Sequence, residues 1–235
     1  MKKIIIIVMT FLTVAGLQAQ QVNDANAEIR EAKGYNAINV SNAFDVYLTQ
    51  SNEEAVAVSA AETKYREKIK VEVKDRTLFI KYDGDGKFWN TGNKKLKAYI
   101  SFKDISKLNI SGACDVYING TLKAPKLNIS QSGASDLKGK LDVDDLVIDL
   151  SGASDMNVTG AARNVDVEAS GASDFKGYDL VSETCNARAS GASSIKVTVN
   201  KELSAHASGA SDVHYKGNGV IRDIKSNGAS SVSRG

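Results

Sequence analysis

Residues 132–136 read Ser-Gly-Ala-Ser-Asp, and this five-residue motif returns six more times, three times unchanged and three times with small changes. The other copies occupy residues 111–115, 151–155, 170–174, 190–194, 208–212 and 227–231. Their first residues lie 18 to 21 positions apart, which is too long for a β-hairpin and too short for a helical repeat. A motif that returns at such a period indicates a solenoid, in which each repeat packs only on its neighbours.

The residues that flank the motif alternate between apolar and polar side chains. Five and three positions before it stand pairs of apolar residues: Leu127 and Ile129, Leu146 and Ile148, Val165 and Val167, Cys185 and Ala187, and Leu203 and Ala205. Five positions after its first residue stands a second apolar column: Val116, Leu137, Met156, Phe175, Ile195, Val213 and Val232. This period of two predicts half-buried strands on both sides of the motif.

Each repeat is therefore predicted to hold two short strands, joined at a tight corner by the small residues, the Gly and the Asp of the motif. A third corner or loop closes each turn. A chain that rises by one strand spacing per ~19 residues forms parallel strands about 4.8 Å apart. The predicted fold class is all-β, a right-handed parallel β-helix, and a β-sandwich is the competing fold.

The first half of the chain is less regular than the second. Residues 38–48 match residues 108–118 in residue type, position for position, and are predicted to form a degenerate first copy of the repeat. Wider coils at the N-terminal end are expected from four further alternating segments, 55–60, 69–73, 77–82 and 95–102.

The N-terminus has the pattern of a secretory signal peptide. Lys2 and Lys3 precede an apolar run and then small residues, so residues 1–19 are expected to be removed by cleavage after Ala19. The protein is therefore expected to be exported, to the cell surface, the periplasm or the extracellular space. The remaining chain is predicted to divide into a linker, 20–29, and a single domain, 30–235, which is irregular over 30–104 and regular over 105–235.

The charges of the chain are balanced. Lys and Arg number 30 and Asp and Glu number 28, and the loss of Lys2 and Lys3 would leave 28 of each sign. Neither half of the mature chain carries the basic excess that is expected of nucleic-acid-binding proteins. Nucleic acid is therefore not an expected partner.

Three features together resemble a known family. They are the unit Ile38-Asn-Val-Ser-Asn-Ala-Phe-Asp-Val46, the segment Leu78-Phe-Ile80, and the serial Ser-Gly-Ala-Ser-Asp corners behind a signal peptide. Over about residues 30–235 the chain resembles the head GIN domain family, exported bacterial proteins described as putative autotransporter adhesins. The resemblance implies a β-helical fold and adhesion at a surface, and it supplies neither a catalytic residue nor a ligand.

A column of carboxylates runs through the motif at Asp115, Asp136, Asp155 and Asp174. Two interpretations stand: the side chains bond backbone donors at each corner, or oxygen ligands from adjacent coils bridge a calcium ion. Carboxylates about 4.8 Å apart repel each other by only about 0.9 kcal/mol in water, which hydrogen bonds at the corner offset. The corner role is preferred, so no metal and no cofactor is predicted.

Recognition of a partner is expected from residues that vary between repeats. Two positions before the motif stands a variable polar column, and four of its members are predicted ligand contacts: Asp149, Glu168, Arg188 and His206. Trp89, in a polar loop that contains a Gly, is a fifth, because an exposed ring stacks on a sugar. The competing interpretations are a solvated face for the column and packing over the N-terminal coil for Trp89.

The cysteines and histidines are interpreted as structural or surface residues. Cys114 and Cys185 lie three coils apart, about 14 Å, and a disulfide permits only about 7 Å between Cα atoms, so they are not expected to pair. Cys185 is predicted to be a small buried hydrophobe, and Cys114 to replace the fourth-position Ser of the motif. His206 and His214 lack a third metal ligand and are predicted to lie at the surface.

The Asp residue recurs in most copies of the repeat, whereas a catalytic acid pair is expected at one place only, where the sequence departs from the repeat. The predicted function is therefore non-enzymatic: a secreted, adhesin-like surface module whose partner is a cell-envelope or extracellular protein or glycan. The alternatives are a carbohydrate-active β-helix of polysaccharide lyase or hydrolase type, and a calcium-binding structural solenoid. The open last coil, 226–235, is expected to support self-association.

Overall fold

The computed structural model describes residues 24–84 and 94–235. Strands make up 67% of the structure and helix only 2%, the latter as the four-residue helix α1, Thr63–Arg66. The predicted all-β class is confirmed. Within the described residues, no helix has the length and apolar character needed to cross a membrane. The expected signal peptide over 1–19 and the loop with Trp89 lie outside the described residues.

The regular part of the chain is a stack of parallel coils. Each strand pairs with the strand one coil earlier, so that Leu146 pairs with Leu127 on one side and with Val165 on the other. The strands are β8 Lys107–Ile110, β9 Asp115–Gln131, β10 Asp136–Leu150, β11 Asp155–Ala169, β12 Asp174–Ala189, β13 Ser194–Gly209, β14 Asp212–Lys216, β15 Val220–Gly228 and β16 Ser231–Arg234. The predicted parallel solenoid, with about seven turns of roughly 19 residues, is confirmed. The right-handedness of the solenoid stays a prediction.

The two inward columns form the core of the solenoid, as predicted. In the first column five side chains are at most 4% exposed: Leu127, Leu146, Val165, Cys185 and Leu203. The second column is buried in the same way from Val116 to Val213. Burial of each such aliphatic side chain stabilises the fold by ~1.5 to 3 kcal/mol. The last turn differs, because Ile221 is 43% exposed and Ile224 39%.

The strands are longer than predicted. Each inner coil contains one strand of 15 to 17 residues that runs from one motif to the next, in place of two short strands. The chain still bends within it, for example where Asp144 and Asp145 are both exposed and the alternation is interrupted. Backbone pairing continues through the bend because neighbouring coils bend at the same place: Asp142 pairs with Ala161 before it, and Asp145 pairs again after it.

Glycine determines the geometry of the corner. The seven motif glycines have φ between 75° and 88°, a region that side chains disfavour. A Cβ on Gly152 would also lie 2.5 Å from the carbonyl oxygen of Gly133 in the coil before it. Asn42 begins this column next to Gly112, with φ 87°, and its Oδ1 accepts a hydrogen bond from the Tyr82 N–H at 2.8 Å.

The fourth motif position is buried inside the corner. Five serines there are at most 3% exposed: Ser135, Ser154, Ser173, Ser193 and Ser211. Each hydroxyl donates to the carbonyl three residues earlier, as Ser154 does to Ser151 at 2.8 Å. Cys114 occupies the same position, as predicted, with its Sγ 3.4 Å from the Ser111 carbonyl oxygen. Buried polar groups that are bonded in this way satisfy the corner backbone, so this serine has a structural role.

Both cysteines are buried free thiols. Burial raises the pKa of Cys114 to about 11 and that of Cys185 to about 12. The thiols therefore stay protonated, and so unreactive, at neutral pH. Cys185 lies in the inward column, where it packs as a small apolar residue.

The N-terminal region extends the solenoid and closes its end. Its strands are β1 Glu28–Arg30, β2 Ala37–Val40, β3 Asp45–Gln50, β4 Ala55–Ser59, β5 Ile69–Lys74, β6 Thr77–Tyr82 and β7 Lys97–Phe102. β2 and β3 pair in parallel with β8 and β9, so that Ile38 lies opposite Leu108 and Asp45 opposite Asp115. The predicted degenerate first copy of the repeat is therefore confirmed.

At the N-terminal end, β6 and β7 pair in parallel with β2 and β3 and so form one further, wider coil, as expected. Antiparallel strands pair with the outer edges of this coil. β4 pairs antiparallel with both β1 and β7, and β5 pairs antiparallel with β6. Asp75 and Arg76 join β5 to β6 with φ of 48° and 57°, the geometry of a two-residue hairpin turn. Strand β1 begins at Glu28, within the range expected to be a linker.

Candidate binding groove

The variable polar column lies on one outward face of β10, β11, β12, β13 and β15. The register pairs Asp149 with Glu168, Glu168 with Arg188, Arg188 with His206, and His206 with Lys225. Successive members of the column therefore lie on successive coils, one strand spacing of about 4.8 Å apart. The fold thus brings four of the five predicted contact residues onto one face.

A groove of about 320 Å³ follows the C-terminal part of this column. One side is an outer row of column residues: Glu168, Arg188, His206 and Lys225. The other side is a motif row, the first motif residues of three consecutive coils: Ser190, Ser208 and Asn227. Asp149 lies one coil outside the groove, and Trp89 lies outside the described residues.

Carboxylates orient the guanidinium group of the outer row. Arg188 Nη2 donates to Asp166 Oδ1 at 2.7 Å, and Arg188 Nε lies 3.5 Å from Glu168 Oε2. Its third nitrogen, Nη1, has no hydrogen-bond partner in the part of the chain that the structure describes. The side chain is 40% exposed. Arg188 therefore presents a fixed, planar group with donors left for a ligand.

Asp223 connects the other two members of the outer row. Its Oδ2 lies 2.8 Å from His206 Nε2 and 3.0 Å from Lys225 Nζ. These two contacts hold the pKa of Asp223 below its ordinary value. Because all three side chains are well exposed, the contacts orient the groups more than they stabilise the fold.

The motif row differs from the same position in earlier coils. Three earlier copies direct their hydroxyls at a carbonyl of the preceding coil, at 3.3 to 3.5 Å: Ser132, Ser151 and Ser170. The hydroxyls of Ser190 and Ser208 and the side-chain amide of Asn227 have no partner among the described residues. Such groups both donate and accept hydrogen bonds. The sequence did not predict this row, because the whole motif was assigned to the corner. The replacement of the first motif Ser by Asn227 in the last copy was the one sign in the sequence that this position does more than form the corner.

The Asp column lies beyond the corner, at the start of each strand. Four carboxylates are in register on consecutive coils: Asp115, Asp136, Asp155 and Asp174. Lys176 Nζ lies 2.9 Å from the carboxylate of Asp155 and 3.9 Å from that of Asp174, so the chain supplies its own cation to two of them. Burial, helped by the charge of Asp136, raises the pKa of Asp115. Over 24–84 and 94–235 no three metal-ligating side chains are grouped, and the calcium ladder stays an alternative prediction.

Three tyrosines form a stack near the N-terminal end that sequence reasoning missed. The ring centroids of Tyr47 and Tyr99 are 5.1 Å apart and those of Tyr47 and Tyr117 5.5 Å, with interplanar angles of 14° and 19°. The ring of Tyr47 lies between the other two, so the stack contributes packing across β7, β3 and β9. The shared Asp-Val-Tyr of 45–47 and 115–117 was the available signal.

The fold and the groove define a parallel β-solenoid protein with a polar surface groove. The chain belongs to the family described as "Putative auto-transporter adhesin, head GIN domain", whose profile matches residues 34–219. The resemblance drawn from the motif and from the first copy is confirmed. No curated protein matches the sequence.

Solved structures share the fold. A putative adhesin from Bacteroides fragilis is similar with a TM-score of 0.80 and 23% identity, over 88% of this chain and 95% of that one. A putative adhesin from Parabacteroides merdae has a TM-score of 0.67 and 17% identity, over 89% and 95%. A putative lipid binding protein from Parabacteroides distasonis has a TM-score of 0.67 and 20% identity, over 89% and 97%. At these identities the likeness establishes the fold alone.

Proposed function

We propose that the protein is an exported, non-enzymatic binding module that holds its partner in the groove between the outer row and the motif row. One observation carries the proposal. Hydrogen-bonding groups without a partner in the described chain converge there from three consecutive coils: Arg188 Nη1 and the side chains of Ser190, Ser208 and Asn227. Membership of a family described as adhesins supports a partner at a surface, either a cell-envelope or extracellular protein or a glycan.

The chemistry of the groove supports binding without turnover. Glycoside hydrolysis requires a pair of carboxyl groups that flank the scissile bond. The outer row and the motif row together contain a single carboxylate, Glu168, which lies 3.5 Å from the guanidinium of Arg188. A polysaccharide hydrolase is therefore the less supported alternative, and a polysaccharide lyase stays an alternative prediction.

The proposal includes export and self-association. The signal-peptide pattern over 1–19 and the description of the family support a location at the cell surface, in the periplasm or outside the cell. Apolar side chains that the last turn leaves exposed support association of two copies through that turn: Val220, Ile221 and Ile224.

Binding assays with groove variants test the proposal. The wild-type protein is screened against a glycan array and purified envelope proteins, and Kd is then measured for Arg188→Ala and for the double variant Ser190→Ala with Ser208→Ala. We expect each variant to lose about tenfold or more in affinity, which corresponds to ~1.4 kcal/mol of lost hydrogen bonding. The matched control is Ser132→Ala, which removes the same hydroxyl from a coil outside the groove and is expected to bind within about twofold of wild type.

Two results would count against the proposal. Equal affinities for the groove variants and the wild type would place the contact on another surface. Release of a cleaved product from a bound glycan would contradict the non-enzymatic part.

A further inference from the structure

The two sides of the groove repeat with the coil. The outer row places one side chain on each of four consecutive coils, and the motif row places one on each of three. Successive members lie about 4.8 Å apart, in lines that run parallel to the solenoid axis. A ligand whose own units repeat at this interval can make the same kind of contact with each coil.

The interval distinguishes between classes of polymer. An extended peptide advances about 3.3 Å per residue and an α-helix about 1.5 Å, so neither stays in register with the rows. The strand spacing is about 4.8 Å, and a pyranose ring together with its glycosidic oxygen has about this length along an extended glycan. Of these polymers, a linear glycan is therefore the one whose repeat length matches the spacing of the coils.

The groups in the groove suit a ligand that carries hydroxyls and no net charge. The charged side chains are already paired within the chain, Arg188 with Asp166, and His206 and Lys225 with Asp223. What remains unpaired is a mixed set of donors and acceptors, which sugar hydroxyls match because each of them both donates and accepts. The volume of about 320 Å³ is small for a ligand site, which fits a chain that lies lengthwise on the surface.

We propose that the groove binds a neutral linear glycan parallel to the solenoid axis, with one sugar unit on each coil. This inference rests on the proposed function, since it names the ligand class of the same groove. Four coils border the groove: Glu168 lies on the first, and the groups without a partner lie on the next three. Four consecutive sugar units therefore make the full set of contacts, and shorter chains make fewer.

Isothermal titration calorimetry with oligosaccharides of increasing length tests the inference. The probes are the neutral cello-, xylo- and N-acetylchito-oligosaccharide series. Within each series the members differ only in the number of linked units. For a series that binds, we expect affinity to rise roughly threefold or more with each unit, as an added hydrogen bond or two would give, and to level off at four units. An affinity that does not depend on chain length would overturn the inference.

Two serine variants provide a matched comparison. Ser208→Ala removes a hydroxyl from the middle of the motif row, and Ser151→Ala removes the same hydroxyl from a coil outside the groove. We expect Ser208→Ala to weaken the four-unit ligand by roughly threefold to tenfold and Ser151→Ala to leave its affinity near that of wild type. Melting temperatures measured on both variants separate a loss of binding from a loss of fold. Equal affinities for the two variants would overturn the inference.

The inference and the proposed function fail in different ways. If no series binds while a protein partner is lost on Arg188→Ala, the glycan inference is wrong and the binding module stands. If neither a glycan nor a protein responds to any groove variant, the proposed function is wrong as well.

Discussion

At each corner after that of Gly112, the backbone of one glycine lies against the backbone of the glycine one coil earlier. An added Cβ would meet the Gly133 carbonyl oxygen at 2.5 Å from Gly152, and the Gly152 carbonyl oxygen at the same distance from Gly171. Because the obstacle is backbone, no side-chain rotation relieves the contact. The loss of stability on replacing a corner glycine by alanine therefore reports how closely the coils stack.

Gly152→Ala and Gly120→Ala separate two costs. These glycines have φ of 78° and 77°, so alanine at either site adopts a left-handed backbone at a cost of ~1 kcal/mol. At Gly120 a Cβ meets nothing within 4 Å, so we expect no further loss. At Gly152 the coils must also move, and we expect the free energy of unfolding in urea to fall by ~3 kcal/mol or more. Equal losses at the two sites would contradict the steric contact.

At the scale of the residue, the sequence predicted where side chains lie but not how they bond. The outer row was predictable because side-chain direction in a strand follows a period of two. Whether a hydroxyl is free depends on small distances between coils: Ser151 reaches a carbonyl at 3.4 Å, whereas Ser190 reaches none among the described residues. Position in a repeat does not encode such distances.

At the scale of the element, the strands of the last turn differ from the inner strands. β15 pairs only with β13, and β16 only with β14, so each has one unpaired edge among the described strands. Ile221 and Ile224 continue the inward positions of Leu203 and Ala205, yet both are substantially exposed. An unpaired edge beside uncovered apolar side chains is a surface on which another strand adds.

The uncovered side chains of the last turn form a small apolar surface. Val220, Ile221 and Ile224 are 62%, 43% and 39% exposed, and a second copy that packs its own last turn on this surface would bury these side chains on both sides.

Ile224→Lys and Val147→Lys test this association. Both side chains are 39% exposed, but Val147 lies in the middle coil strand β10 and Ile224 in the last turn. We expect wild-type protein and Val147→Lys to form dimers in sedimentation equilibrium, and Ile224→Lys to remain a monomer because burial of its charge is costly. Monomeric wild-type protein at every concentration would show that the last turn does not self-associate.

Alternation predicted the inward face of each strand but not the direction in which a strand runs. The segments of β4, β5, β6 and β7 were predicted as strands of wider coils. β6 and β7 do pair in parallel with β2 and β3, but β4 pairs antiparallel with β7, and β5 with β6. Strand direction depends on the connections, here the two-residue turn at Asp75 and Arg76. Residue pairs of that type carry a weaker sequence signal than Asn-Gly, so the hairpin was missed.

At the scale of the whole molecule, the solenoid consists of coils that pair only with their neighbours. β10 lies between β9 and β11, and its inward residue Leu137 has Val116 on one side and Met156 on the other. The stability of such a molecule is close to a sum of coil terms and interface terms. A complete coil is therefore a unit that can be removed.

Deletion of residues 132–150, one complete coil, is expected to give a folded protein. The register then places Val116 beside Met156 in the same inward column, so the strand signal in circular dichroism should remain while the melting temperature falls by several degrees with the loss of one interface. The groove is expected to keep its binding. The control, deletion of residues 132–141, removes one corner and about half a coil, so the remaining motifs can no longer lie in register with their neighbours, and it is expected to unfold the protein. Unfolding by both deletions would contradict the additive description.

Asn42 is the first member of the corner column and the one that carries a side chain. At an interior corner, the motif glycine lies against the carbonyl of the glycine one coil earlier. Asn42 has no such neighbour among the described residues, and its side-chain Oδ1 accepts a hydrogen bond from the Tyr82 N–H. A gene duplication that copies an interior coil would therefore yield another coil that stacks, and a duplication of the first coil would press a Cβ into the carbonyl before it. Interior coils of this protein can therefore be duplicated or lost during evolution, whereas the coil that contains Asn42 cannot be duplicated in the same way.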